Sequence, residues 1–420
     1  MNLRSHPYES YRPSNSEWVD QTPSEWEEKR VKDLFRLVTD KASVDNDHEL
    51  LSLYASIGVR PRKDLEARGN KASSTDGYWL VKKGDIVVNK LLAWMGSVGL
   101  SEYDGVTSPA YDVLRKTSKL VDVRYFSYLF RTEIAKQIFK RNSRGIMDMR
   151  LRLYFDKLGA ITVPVPPFST QHAIATYIDT KTGQIDRQID LLGQKAAQYG
   201  KLKKSLINET ITRGLNKSVP MKVSGVEWVG EIPEHWSVMR LKDVCSIQKG
   251  DVFDFDTENE SGNIPYFNGG MTPSGFSHFS NMPSGVIAVS EGGASSGYTQ
   301  FMNSPFWCGA HCYAIFSKTK CKKYLYYCIK GWEHVLSELK TGSAMPNLKK
   351  SEISNFLVPI TKNREEQAAI TAHLDEKTAQ IDRIVTAINT QIDKLKDLRK
   401  ALINDVVTGK IKVVSEGKAV

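Results

Sequence analysis

The chain contains two copies of one sequence segment, and this internal repeat constrains its fold more than any other feature. Residues 14–34 and 224–244 are identical at nine of 21 positions at an offset of 210, including two tryptophans in each copy. Residues 171–212 and 367–408 are identical at 16 of 42 positions at an offset of 196. Identities that recur in the same order at two places indicate a duplication rather than a shared composition.

The segments between these matches, residues 35–170 and 245–366, share little identity. They contain short runs of β-branched and apolar residues, such as 85–89 and 285–289, separated by glycine-rich turns. Each copy therefore has matching ends around a divergent interior. We expect each interior to form a mixed α/β domain of about 140 to 150 residues, within the usual range of domain sizes.

The matching segment at the end of each copy has the pattern of a long amphipathic helix of about 35 to 40 residues, about 50 to 60 Å in length. Ordinary core helices share this pattern, but equal apolar seams in both copies favour packing of the two helices on each other, as an antiparallel coiled coil. The seam residues recur every seven positions: Ile178, Ile185, Leu192, Tyr199 and Leu206 in the first copy, and Leu374, Ile381, Ile388, Leu395 and Leu402 in the second.

These patterns predict an α+β fold: two tandem mixed α/β domains, joined and spaced by two long amphipathic helices, with an internal pseudo-two-fold repeat. The predicted division is an N-terminal tail at 1–13, a first domain at 14–166, a first helix at 167–217, a second domain at 218–359, a second helix at 360–413 and a C-terminal tail at 414–420.

Charge and cysteine content indicate a basic protein of a reducing compartment. The 58 Lys and Arg residues exceed the 48 Asp and Glu residues by ten, and the pI is about 9.1. This excess favours a polyanionic partner, although a basic protein of another class would show it too. Five cysteines are an odd number, which argues against a disulfide framework, so we expect a cytoplasmic protein. No secretory leader or membrane span is expected, since no window approaches about 18 apolar residues.

No pattern for catalysis or metal binding is convincing. Residues 165–168, Val-Pro-Pro-Phe, imitate a methyltransferase motif but carry valine where a hydrogen-bonding side chain must hold the target amine. No GxxxxGK[ST] loop for nucleotide phosphates occurs. Cys308, His311 and Cys312 lack the spacing of paired zinc ligands. The acidic residues at 251–260 lack the order of a calcium loop. The sequence therefore predicts a binding protein with no catalytic residue, metal or cofactor of its own.

Several segments carry a resemblance to a known family. The segment 221–236, with 240–243, is similar to that family's domain-entry sequence, and 364–370, with 374–375 and 377–382, is similar to its helix start. In the first copy, 84–99 and 105–111 are also similar, whereas 168–171 departs from the Arg-Glu-Glu-Gln of 364–367. From about residue 14 to 412, the chain resembles the DNA specificity subunit of type I restriction-modification systems.

The resemblance implies two target recognition domains, each reading one part of a bipartite, asymmetric site in double-stranded DNA. It implies that the long helices act as a spacer and dock two modification (methyltransferase) subunits. S-adenosylmethionine would then be bound by the modification subunits, and ATP and Mg by a partner restriction (translocase) subunit. Two alternatives remain open: an architectural or decoy DNA-binding protein without a modification partner, and a self-contained methyltransferase or nuclease with duplicated recognition domains.

Base and phosphate recognition needs Arg, Lys, Asn, Gln and Ser in loops that face the DNA. By this chemistry we select DNA-contact candidates in both domains, and we expect Trp94 and Phe306 to belong to the core. The candidates are Arg60, Arg62, Lys63, Lys90, Arg141 and Arg144 in the first domain, and Lys249, Asn268, Ser296, Tyr298, Lys340 and Asn347 in the second.

Overall fold

Both copies of the repeat fold into similar sets of strands and helices, and each copy ends in a long helix. The computed structural model describes residues 7–54, 57–64, 75–145, 151–253, 262–341 and 347–413, so the acidic residues at 254–260 and the tail at 414–420 lie outside the described residues. The chain divides into two compact units. The first unit comprises residues 1–191 and 391–420, and the second comprises 192–390. Each unit therefore contains one domain and a part of both long helices.

The first copy contains twelve strands and five helices among its described residues. The strands are β1 (Tyr11–Pro13), β2 (Gln21–Pro23), β3 (Glu27–Arg30), β4 (Phe35–Leu37), β5 (Leu51–Tyr54), β6 (Gly58–Pro61), β7 (Trp79–Val81), β8 (Ile86–Asn89), β9 (Val98–Leu100), β10 (Gly105–Thr107), β11 (Tyr111–Lys116) and β12 (Thr162–Val165). The helices are α1 (Val31–Leu34), α2 (Val123–Leu129), α3 (Glu133–Asn142), α4 (Phe155–Leu158) and α5 (Phe168–Arg213).

The second copy contains eleven strands and five helices among its described residues. The strands are β13 (Met221–Val223), β14 (Glu231–Pro233), β15 (Ser237–Arg240), β16 (Cys245–Lys249), β17 (Ile264–Phe267), β18 (Gly275–Ser277), β19 (Val286–Ser290), β20 (Thr299–Met302), β21 (Trp307–Cys308), β22 (Cys312–Ser317) and β23 (Leu357–Ile360). The helices are α6 (Leu241–Val244), α7 (Lys322–Gly331), α8 (Glu333–Glu338), α9 (Lys350–Asn355) and α10 (Arg364–Val407).

A four-stranded antiparallel sheet forms the centre of each unit, with the order β4-β11-β8-β9 in the first and β16-β22-β19-β20 in the second. The two orders correspond strand for strand, although the interiors share little sequence identity. The buried runs Ile86–Asn89 and Val286–Ser290 occupy the same place in the two sheets. The divergent interiors have therefore kept the topology of the central sheet, while their other strands pair as β5-β6 and β10-β7 in the first copy and as β18-β17-β21 in the second.

The matching ends of each copy pair with each other. Strand β3 near the start of the first copy pairs antiparallel with β12 just before α5, and β15 pairs with β23 just before α10. Buried tryptophans anchor this junction, since Trp26 and Trp236 lie in the cores of the first and second units. This pairing brings together the two ends of each copy, which are the segments that match between the copies.

The long helices have 46 and 44 residues, which is longer than the expected 35 to 40. In the first unit, Ile178 and Ile185 share a core with Leu402, and Arg399 Nε lies 3.0 Å from Asp186 Oδ1. In the second unit, an early part of α10 lies beside a late part of α5, since Lys203 Nζ lies 2.7 Å from Asp382 Oδ2. The two helices thus run antiparallel and pack together. The predicted fold class is confirmed.

Among the described residues, no helix is long and apolar enough to cross a membrane.

Candidate nucleic-acid interface

Two equivalent loops follow the central strand β8 and its counterpart β19. The first loop, residues 90–97, contains the 3-10 turn Ala93–Met95 before β9, and the second loop, residues 291–298, contains the turn Gly293–Ser295 before β20. Each loop leaves the carboxyl end of the third strand of its sheet. The DNA-contact candidates of each copy can therefore be located relative to one defined end of a sheet.

Lys90 is the first residue of the first loop, and its side chain is engaged by other groups of the same unit. Its Nζ donates a hydrogen bond to Pro109 O at 2.7 Å and lies 3.5 Å from Asp112 Oδ1. Burial raises the pKa of Asp112, and the nearby Lys90 opposes this rise. Since both side chains are mostly enclosed, Lys90 holds the base of the first loop against the start of β11.

Arg141 and Arg144 lie close to the first loop. Arg141 is in the last turn of α3, whose residues pack against the turn Ala93–Met95. Arg144 exchanges backbone hydrogen bonds of 2.9 Å with Arg152, and the next residue, Leu153, donates one to Lys90 O. Both guanidinium groups are exposed and form surface ion pairs of 3.1 Å, Arg141 with Glu17 and Arg144 with Asp156.

Arg60, Arg62 and Lys63 lie on and just after β6. The Arg60 guanidinium lies 6.0 Å from the centre of the Tyr103 ring, and Lys63 Nζ lies 2.5 Å from Glu49 Oε2. Arg62 is half-buried and lies close to Tyr111. Burial raises the pKa of the Tyr111 phenol, and the positive charge of Arg62 lowers it. Tyr111 is the cross-strand partner of Asn89, the residue before the first loop.

Glu291 is the centre of the corresponding cluster in the second unit. Its carboxylate accepts a hydrogen bond of 3.1 Å from Tyr313, forms an ion pair with Lys249 and lies 3.6 Å from His311 Nδ1. Asn268 Oδ1 accepts a hydrogen bond of 3.1 Å from the His311 backbone. Burial and the neighbouring Glu291 raise the pKa of Tyr313 to about 12. Lys249 and Asn268 are thus brought together at the base of the second loop.

Ser296 and Asn347 adjoin the same cluster. Ser296 is buried, and its Oγ donates a hydrogen bond of 2.9 Å to Glu291 O. Asn347 forms a β-bridge with Gly292 and exchanges backbone hydrogen bonds of 3.0 Å with Thr341.

Tyr298 and Lys340 have different surroundings. Tyr298 lies under Lys330, whose Nζ is 4.3 Å from the ring centre, and burial raises the pKa of the Tyr298 phenol. Lys340 is exposed just after α8. Phe306 is buried as expected, whereas Trp94 is half-buried at the edge of the core.

The exposed cations of this set can still bind phosphate groups. Lys63, Arg141 and Arg144 pair with exposed or half-exposed carboxylates. An exposed ion pair contributes at most about 1 kcal/mol, so a polyanion can replace the carboxylate at little cost. Arg141 and Arg144 thus provide exposed donors for phosphates beside the first loop.

The helix-seam residues face the chain's own cores. Ile178, Ile185, Leu374, Ile381, Ile388 and Leu402 are buried, and Leu192, Tyr199, Leu206 and Leu395 are half-buried. A partner protein would therefore contact the outer faces of the helices, whose exposed apolar side chains include Leu191, Leu202, Ile384 and Leu398.

The same contact joins a long helix to a short helix in both units. Tyr128 on α2 donates a hydrogen bond to the Asp179 carboxylate on α5, and Arg124 lies 2.9 Å from the same group. In the second unit, Tyr327 on α7 donates to Asp375 on α10 at 2.5 Å, and Lys323 takes the place of Arg124 at 2.7 Å. The sequence analysis matched Asp179 with Asp375 but not the tyrosines, because the tyrosines lie in the divergent interiors.

The sequence analysis also missed three apolar residues of the first loop, Leu91, Leu92 and Met95, which are exposed. The signal for them was the run of long apolar side chains after the strand, where a turn is expected to be polar.

In the part of the chain that the structure describes, no group of three or more His, Cys, Asp or Glu side chains could hold a metal ion. The five cysteines are all free thiols.

The sequence profile of the type I restriction modification DNA specificity domain matches this chain twice, at residues 23–198 and 233–394. Together the two matches cover most of the chain, and they contain the first and second loops. The chain is 25% identical to the type I restriction enzyme MjaVIII specificity subunit of Methanocaldococcus jannaschii over 427 residues, which cover 93% of this chain and 94% of that protein.

Two solved structures have a similar fold. One, from work on complex assembly and conformational transition of the type I R-M system, has a TM-score of 0.70 and 16% identity, and the match covers 93% of this chain and 99% of that chain. The other, the HsdS subunit from Thermoanaerobacter tengcongensis, has a TM-score of 0.52 and 18% identity, and the match covers 93% of this chain and 98% of that chain. At these identities the likeness concerns the fold alone.

Proposed function

The chain belongs to the type I restriction modification DNA specificity family, and from this premise we propose that its two copies read the two halves of one bipartite, asymmetric DNA site. The chain is the non-catalytic DNA-recognition subunit of a restriction-modification system, in which catalysis lies with other subunits. The division of the site between the two copies is the part that we propose.

The observation that supports this division is the equivalence of the two central sheets. Their strand orders correspond, and each presents a loop at the carboxyl end of the corresponding strand. The side chains of the loops differ in size and polarity, with Lys-Leu-Leu-Ala-Trp-Met at 90–95 and Glu-Gly-Gly-Ala-Ser-Ser at 291–296. One scaffold that carries two different loops suits the reading of two different sequences.

We propose that the long helices set the distance between the half-sites and dock two modification subunits. Leu202 and Leu398 occupy equivalent positions of the repeat and are both exposed on the helices. Exposed apolar side chains on a helix favour a protein partner. Because the two positions are equivalent, the pair supports two copies of one partner.

The partner assignments follow from the family. The modification subunits would bind S-adenosylmethionine, and a restriction subunit would use ATP and Mg to translocate double-stranded DNA. We further propose a cytoplasmic location, which the five free thiols support.

A domain exchange tests the proposed division. Residues 245–355 are replaced by the matching interior of another family member, and the complex is expressed with its partner subunits in a host without other methyltransferases. Sequencing of methylated bases should show one half-site changed, with the other half-site and the gap between them unchanged.

The reciprocal exchange of residues 35–160 is the matched control and should change only the other half-site. A chimaeric chain that altered both half-sites at once would contradict the proposal.

A further inference from the structure

The first loop exposes three long apolar side chains within five residues. The exposed fractions are 37% for Leu91, 43% for Leu92 and 53% for Met95. Turns that connect strands usually carry polar residues, because their side chains face water. An apolar patch on a turn therefore indicates a surface that contacts another molecule.

The turn that carries these side chains is held by several hydrogen bonds. The Leu91 backbone donates to Asn89 Oδ1 at 3.0 Å, and Trp94 Nε1 donates to Leu91 O at 3.0 Å. Leu92 O accepts backbone hydrogen bonds of 3.0 Å from Met95 and Ser97. The three apolar side chains thus project from a fixed backbone, which reduces the entropy lost on binding.

Cations of α3 lie beside the loop that carries this apolar patch. Lys136 on α3 lies against the turn, since its Cε would be 2.8 Å from a Cβ atom placed on Gly96. Lys140 Nζ lies 5.2 Å from the centre of the Trp94 ring, and Arg141 follows in the same helix. An apolar tip with cations beside it suits a ligand whose apolar groups lie next to negative charge. A DNA groove has this chemistry, because thymine methyl groups lie between the phosphate backbones.

The second loop lacks these side chains. Its residues at the positions equivalent to Leu91, Leu92 and Met95 are Gly292, Gly293 and Ser296. A shared role in folding would keep apolar residues in both loops, whereas a role in reading one half-site would not. The difference between the copies therefore points to recognition rather than to packing.

We propose that Leu91, Leu92 and Met95 are specificity-determining residues that contact thymine methyl groups in the half-site read by the first copy. This inference rests on the proposed function, since it requires that the first copy binds one half-site in duplex DNA. It predicts that the half-site contains thymine at a position where the methyl group itself is read.

Deoxyuridine tests this contact, because it differs from thymidine only by the methyl group. The recognised site is first read from methylated bases in the host DNA, and the domain exchange assigns the half-sites. Duplexes with uracil in place of thymine in one half-site at a time then compete for the complex of the full chain with its partner subunits. Uracil in the first copy's half-site should weaken binding about fourfold for each methyl group contacted, the effect of one buried methyl group.

The double variant Leu92→Ser/Met95→Ser should lose most of the preference for thymine over uracil, because only Leu91, the least exposed of the three side chains, remains. Leu120→Ser, which changes another exposed leucine of the same unit, is the matched control and should keep the preference for thymine. A half-site without thymine, an absence of any uracil effect, or a thymine preference that is undiminished in the double variant would overturn the inference.

Two further results separate the possible failures. If the double variant fails to assemble with the partner subunits while Leu120→Ser assembles, the patch contacts protein and the inference is wrong. If the wild-type complex shows no site-specific DNA binding at all, the proposed function itself fails, and the inference fails with it.

Discussion

A tyrosine and an aspartate fasten a short helix to a long helix in each unit. In the second unit, Tyr327 Oη lies 2.5 Å from Asp375 Oδ1, and Tyr327 is buried. We expect Tyr327→Phe to lower the free energy of unfolding by about 1.5 to 3 kcal/mol, the range for a hydrogen bond to a charged group. Urea unfolding followed by tryptophan fluorescence measures the change.

The neighbouring Tyr326→Phe is the matched control. Tyr326 is half-buried and packs on Tyr327 with ring centres 5.0 Å apart. Tyr326→Phe should lower the free energy of unfolding by less than Tyr327→Phe does. Equal losses in the two variants would show that the bond to Asp375 contributes nothing of its own.

The same pair predicts a dependence on alkaline pH. Burial, and then the hydrogen bond to Asp375, raise the pKa of Tyr327. Above the ordinary phenol pKa of about 10, the unfolded chain loses this proton while the folded chain keeps it, so the wild type loses stability as pH rises. Phenylalanine does not titrate. The stability difference between the wild type and Tyr327→Phe should therefore narrow between about pH 9 and about pH 11, and a constant difference would refute this explanation.

At the scale of the element, each long helix has an inner face that is largely buried and an outer face that is exposed. The inner seam is buried or half-buried, while Leu202 on α5 and Leu398 on α10 are exposed at equivalent positions. We expect Leu202→Lys and Leu398→Lys each to weaken assembly with one modification subunit, because a charge replaces an apolar contact. Mass measurement of the co-purified complex should show one subunit lost in each variant and two lost in the double variant.

Val223→Lys is the control for this prediction, because Val223 is exposed but lies on β13 rather than on either long helix. It should leave the complex intact. Full assembly of the double variant would mean that the modification subunits bind elsewhere.

At the scale of the whole molecule, the length of the helices should determine the gap between the half-sites. Four helix-forming residues inserted after Gly193 in α5 and after Gln391 in α10 add about 6 Å to each helix. This length corresponds to about two base pairs of duplex DNA. We expect methylated-site mapping to show a longer gap with both half-sites unchanged.

An insertion into one helix alone is the control. It shifts the apolar side chains of one helix relative to those of the other helix. It should therefore reduce methylation at every site rather than change the gap between the half-sites. A double insertion that altered a half-site sequence would contradict the assignment of spacing to the helices.

Regular patterns made the helices and the duplication predictable from the sequence. The seven-residue repeat through Ile178 and Ile185 depends only on neighbours along one helix, and packing then buries both side chains. The antiparallel arrangement followed from two equal seams. The helix lengths were underestimated, because their first and last turns pack on the domains and depart from the seven-residue pattern.

The interiors were harder to predict, because strand pairing joins residues that are distant in the chain. Their strands were recognisable, but the common order β4-β11-β8-β9 and β16-β22-β19-β20 required the tertiary structure. The same holds for the loop residues. Sequence chemistry selected Lys90 as a cation, and only the fold brought Pro109 and Asp112 to its ammonium group.

The sequence by itself thus determined the duplication, the two amphipathic helices, the α+β class and the family resemblance, since each depends on residue order or short-range periodicity. The tertiary structure decided that the ends of each copy pair as β3 with β12 and β15 with β23, and that Leu91, Leu92 and Met95 remain outside the core. Whether a side chain is buried or exposed depends on long-range packing, which local sequence patterns do not specify.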